Sequence, residues 1–153
     1  MGLGLGLVGG WWVAGRGPDR LTAAGLAAAR GRWEALGPES YLLEIETRGP
    51  AGARQVVEVR GGEVVRMTTG GVEASREAWR YWTVDALFSF LATELANADA
   101  AESTYRAPAG SVVLKASFDG RWGFPSRFLR HVLGQRDSVE WRVLRFEPLP
   151  AGE

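Results

Sequence analysis

The chain contains no cysteine, a single histidine, His131, and a single lysine, Lys115. Without cysteine there is no disulfide, no thiolate nucleophile and no Cys-based zinc or iron–sulfur centre. One imidazole cannot complete a zinc set by itself, and no carboxylate loop of recognisable spacing stands in for it. No serine sits in a Gly-x-Ser-x-Gly elbow, so hydrolase chemistry of that kind is unsupported. Excess charge is also missing. The 18 basic and 18 acidic residues cancel, which removes any bulk pull towards nucleic acid or anionic lipid. All the basic residues but Lys115 are arginine, yet they form no basic stripe, so nucleic acid is not an expected partner. The expectation is a protein with no catalytic residue, no metal and no cofactor.

What is present is arginine, alanine, glycine and seven tryptophans in 153 residues. That length suits one domain with a real core. Buried tryptophans belong to a core; exposed ones mark an interface.

Residues 1–17 read as an apolar tail, uncharged before Arg16. A secretory signal opens with positive charge, and none precedes the apolar run. A membrane span needs about 20 apolar residues, and this run is shorter. Membrane or partner contact through Leu5, Leu7, Trp11 and Trp12 is the reading that remains, beside a residual leader. Trp11 and Trp12 next to Arg16 resemble an interfacial anchor. Gly-Leu-Gly-Leu-Gly is no dinucleotide loop, because no strand precedes it.

Residues 18–150 read as a single domain. Pro18-Asp19 is expected to open a helix to about Leu36, with Asp19 as its cap and Gly37-Pro38 as its stop. Tyr41 to Arg48 alternates as a half-buried strand. Strands at 55–60 and 63–68 flank the hairpin turn Gly61-Gly62, with Val57, Val59, Val65 and Met67 inward. Thr83 caps a second helix whose stripe is Val84, Leu87, Phe88, Leu91 and Leu95, with Asp85 at its positive end. A loop is expected over 97–108. Strands follow at 111–118, from Phe124-Pro125 to Val132, and at 139–146. The order α-β-β-β-α-β-β-β implies an α+β two-layer sandwich: an antiparallel sheet with two helices on one face.

Two local constellations invite a functional reading. Glu44 and Glu46 could pair as acid and base, though a solvated strand face is the simpler account. Asp119 to Arg127 combines a tight turn with Arg121, Trp122, Phe124 and Arg127, types common at interface hot spots. With Trp79, Arg80, Tyr81 and Trp82 it is expected to form a partner-contact surface.

Several segments together resemble a family of small bacterial extracytoplasmic proteins, often lipoproteins, of unknown function. They are Tyr41-Leu42-Leu43-Glu44, Val59 to Val65, Thr83-Val84-Asp85-Ala86-Leu87-Phe88, and Phe118-Asp119-Gly120-Arg121-Trp122-Gly123-Phe124-Pro125. The resemblance spans roughly Arg32 to Pro148. It implies an outward-facing location on the periplasmic side and no particular chemistry; membrane association is the expectation drawn from the apolar tail. Many members carry a lipobox cysteine, and some a cysteine pair after the first strand; this chain has neither. Asp119-Gly120 stands where the family has Asp-Pro. The leading expectation is a non-enzymatic accessory or binding module, a structural subunit of a larger membrane complex with protein subunits as partners. The alternative is a ligand-binding or enzymatic domain using the open sheet face, with Glu44, Glu46 and Lys115 converging.

Overall fold

The computed structural model describes residues 17–136 and 138–151. The contact residues assigned to the N-terminal tail, Leu5, Leu7, Trp11 and Trp12, lie outside the described residues. Twelve elements are described: β1 (Asp19–Arg20), α1 (Ala23–Leu36), β2 (Tyr41–Arg48), β3 (Arg54–Arg60), β4 (Glu63–Thr69), β5 (Val72–Glu73), α2 (Arg76–Trp79), α3 (Val84–Asp99), α4 (Ala101–Tyr105), β6 (Val112–Phe118), β7 (Pro125–Val132) and β8 (Ser138–Pro148). The strands form one eight-stranded antiparallel sheet in the order β1-β6-β7-β8-β2-β3-β4-β5, with α1 and α3 packed on one face. The class is α+β, and the principal elements follow the expected order.

The sheet is two meanders joined by the last strand. One holds β2 to β5, the other β6 to β8, and β8 closes the sheet by pairing antiparallel with β2 from Tyr41↔Pro148 to Arg48↔Glu140. Two of the three hairpin turns of the first meander use paired glycines at positive φ, Gly61-Gly62 and Gly70-Gly71. Two successive left-handed residues match the twist of the flanking strands.

Three expectations change. The first helix begins at Ala23, and its cap is Thr22, whose Oγ1 accepts from Gly25 N at 3.0 Å. Asp19 and Arg20 instead pair with Ala116 and Lys115, while Leu21 donates to the Leu114 carbonyl at 3.0 Å. Leu21 is buried in the core, and this holds the segment extended. Second, the stretch 97–108 is not a loop: α3 runs on to Asp99 and α4 follows, as its alanines favour. Third, Val65 faces solvent, 49% exposed, because β4 is bulged: Val59 pairs with Val64 and Glu58 with Arg66. The extra residue swaps the face of the side chain, so Val64 takes the inward place. Gly70-Gly71 turns the chain back into β5.

α3 has the expected cap and stripe. Thr83 Oγ1 accepts from Ala86 N at 3.1 Å, and Val84, Leu87, Phe88 and Leu91 are buried against the sheet. Fully burying four such side chains contributes roughly 1.5–3 kcal/mol each. They share one core cluster with Leu43, Ile45, Val57, Val59 and Phe128, all fully buried.

The sheet face away from the helices is a lattice of charges. Glu44 meets Arg54 at 3.2 Å, Glu46 meets Arg142 at 2.9 Å, and Glu140 meets Arg127 at 2.8 Å. Such half-exposed pairs contribute about 0–1 kcal/mol each. They keep a broad sheet face polar.

Candidate binding groove

The segment between β5 and α3 is shaped by its own aromatics. Trp79 Nε1 donates to the Ala74 carbonyl at 3.2 Å, and the Arg76 guanidinium lies 5.2 Å from its ring centre. Tyr81 and Trp82 donate their backbone N–H groups to Ala78 and Trp79 in a tight turn. Thr83 then starts α3, and the orphan N–H of Val84 donates to the Tyr41 hydroxyl at 3.0 Å. Tyr41 is buried between Trp33 and Phe146. Burial pushes its phenol up to about 12, the charge of Asp85 adds to this, and the Val84 hydrogen bond opposes it.

This turn forms the end wall of a groove of about 560 Å³ between α3 and the β8–β2 corner of the sheet. Arg80, Tyr81 and Trp82 stand at the end. Ala86, Leu87, Ser89, Phe90 and Thr93 supply the helix side, and Thr47, Val139 and Trp141 the sheet side. Phe90 packs edge-on against Phe128, with centroids 5.1 Å apart, and leans on Trp141 at 6.3 Å. Tyr81 is 57% exposed and Trp82 half-buried. The Arg80 guanidinium donates to the Tyr81 hydroxyl at 2.8 Å and lies 4.9 Å from its ring centre.

The other expected contact residues do not share this surface. Trp79 packs back on Ala74 and Arg76 and does not line the groove. Asp119 Oδ2 accepts from the backbone N–H of Arg121 at 2.9 Å and of Trp122 at 2.7 Å, closing its own turn. Trp122 and Phe124 pack on Phe146, with centroids 5.1 and 4.3 Å away, and Arg121 covers the Trp122 ring. Together they line a separate cavity of about 180 Å³ beside Val143 to Phe146. Arg127 lies on the opposite sheet face, held by Glu140. The structure therefore brings Arg80, Tyr81 and Trp82 together, and places Arg121, Trp122 and Arg127 elsewhere.

The groove walls that sequence reasoning missed are Thr47, Phe90, Val139 and Trp141. Their one visible signal was Phe90, a large apolar residue lying off the buried stripe of α3. A buried carboxylate was missed as well. Glu94 takes Arg130 Nη1 on both oxygens at 2.8 and 2.9 Å, and Tyr105 Oη lies 3.2 Å from Oε2. Burial, then the Glu94 charge, raises the Tyr105 pKa. For Arg130, burial opposes its charge, but Glu94 outweighs it and the pKa rises.

On the charged sheet face Glu44 and Glu46 are each engaged by arginine, and Lys115 lies three strands away from them, so these groups do not converge. His131 sits on β7 across from Ser138 and Val113. Among the described residues no cluster of three or more His, Cys, Asp or Glu side chains has metal-binding geometry.

The architecture defines a small α+β protein on one open antiparallel sheet with its helices on a single face. The chain belongs to the family of unknown function DUF6174, whose model matches residues 25–128, from α1 into β7. No curated protein and no solved structure matches it.

Proposed function

We propose that this chain is a non-enzymatic binding module on the extracytoplasmic side of the membrane. In this reading it serves as an accessory subunit of a larger membrane-associated complex, and the groove beside α3 is its receiving surface. The groove itself carries the reading: an open, largely apolar trough with aromatic walls and an exposed Tyr81 at its end. Aromatic and arginine side chains around a concavity are the usual anchors of recognition. The extracytoplasmic location rests on the sequence resemblance, and the membrane contact is assigned to Leu5, Leu7, Trp11 and Trp12. Among the described residues no helix is long and apolar enough to cross a membrane.

The full chain, purified from its native source in mild detergent, tests this. Wild type is expected to elute with a stoichiometric membrane subunit, and the Tyr81→Ala variant to elute without it at an unchanged melting temperature. Recovery of wild type as a lone soluble monomer would refute the proposal.

A further inference from the structure

The groove carries one charged side chain, Arg80. Among the described residues no carboxylate lies within ion-pairing distance of its guanidinium, which meets only the Tyr81 hydroxyl and ring. Arg54, Arg127, Arg130 and Arg142 by contrast are each held by a glutamate at 3.2 Å or less. A guanidinium offers five N–H donors in a fork that matches a carboxylate, and Arg80 uses one of them on Tyr81.

Away from that end the trough is apolar, walled by Leu87, Phe90, Val139 and Trp141. Its two helix hydroxyls spend their donors on the helix itself. Ser89 Oγ donates to the Asp85 carbonyl and Thr93 Oγ1 to the Ser89 carbonyl, both at 3.1 Å. The space, about 560 Å³, is of the size that holds a small molecule. An apolar body and an anionic head at one end are what this trough complements. Arg80 is exposed at that end, where an anionic head would supply a counter-charge and an uncharged one would not.

We infer that the groove binds a free fatty acid: a single acyl chain along Leu87, Phe90 and Trp141, with its carboxylate on Arg80. This rests on the reading of the groove as the receiving surface and deepens it: the acyl chain fills the trough, and the exposed Tyr81 at its end is left to the partner subunit. A carboxylate bound on both oxygens by a guanidinium gains charge, geometry and two short hydrogen bonds at once.

The test is titration of the full chain with dodecanoate below its micellar concentration, read by calorimetry and by tryptophan fluorescence. One-to-one saturable binding is expected. Arg80→Ala should weaken it about tenfold, the scale of one lost hydrogen-bonded charge. Dodecanol should bind wild type about tenfold more weakly than dodecanoate and lose nothing further in Arg80→Ala. Ser89→Trp, a change at an exposed helix position, should fill the trough and abolish binding with the fold intact. Dodecanol matching dodecanoate would overturn the inference. So would an unaltered Arg80→Ala affinity, or binding confined to phosphatidylglycerol vesicles. If dodecanoate fails to bind while Tyr81→Ala still releases the partner subunit, the fatty-acid assignment falls and the receiving surface stands. Saturable dodecanoate binding by a protein without any partner subunit would keep the ligand and remove the complex.

Discussion

Tyr41 works at three places at once. Its ring stacks on Phe146 with centroids 5.3 Å apart, meets Trp33 edge-on, and its hydroxyl accepts the first N–H of α3. Tyr41→Phe leaves that buried N–H without its partner and should cost about 1–3 kcal/mol in urea unfolding. The phenol also sets an alkaline limit. Its folded pKa of about 12 exceeds the ordinary 10, so between those values the unfolded chain gives up a proton that the folded chain retains. Stability is therefore fully present below pH 10 and falls as pH rises towards 12, by up to about 3 kcal/mol. Urea titrations across that window should show the fall in wild type and a flatter profile in Tyr41→Phe. Gly123 is a second single-residue constraint. At φ +83° its missing Cβ would lie 2.4 Å from the Ala29 carbonyl oxygen, so Gly123→Ala must push the loop off α1. A loss of roughly 2 kcal/mol or more is expected in the same assay. Thr83 and Asp119 were legible in the sequence because a short polar side chain before a helix or in a turn satisfies backbone within its own reach. Val65 was not, because its facing depends on a bulge that only the partner strand reveals.

The elements were legible where one rule acted alone. β2 alternates over its whole length, and α3 carries both a cap and a stripe, so both are found where expected. α1 was placed too early, because Asp19 meets the local requirements of a cap and only β6, almost a hundred residues away, draws it into the sheet. α3 offers two further tests. Phe88 is fully buried, and Phe88→Ala should cost about 3–5 kcal/mol in chemical denaturation. Glu94 is the charged member of an otherwise apolar helix face and ties α3 to β7 and α4. Glu94→Gln leaves Arg130 half-buried without its counter-charge. A loss of roughly 2 kcal/mol is expected, less than for a fully enclosed pair because Arg130 retains some water. Hydrogen exchange should show that loss concentrated in α4 and the end of α3.

The groove is a whole-molecule object, which is why half of it escaped the sequence. Arg80, Tyr81 and Trp82 are neighbours in the chain and stood out as a cluster. Thr47, Val139 and Trp141 come from β2 and β8 and read as ordinary strand residues until those strands pair. Their pairing also makes the sheet's integrity depend on its last strand. β8 is bonded to β7 on one side and β2 on the other, while the short strands β1 and β5 guard the outer edges. A chain ending at residue 137 should expose the sides of β2 and β7 together and be recovered in the insoluble fraction, whereas the full chain stays in solution.

The timing of folding follows from that placement. A nascent polypeptide normally consolidates from its beginning while the ribosome is still working. Here the central staple follows every other described strand in the chain, and its pairing with β2 spans almost a hundred residues of intervening chain. Two half-sheets must wait, each with a raw flank, until β8 has been made. During that interval the unpaired flanks of β2 and β7 are open to pairing with another copy.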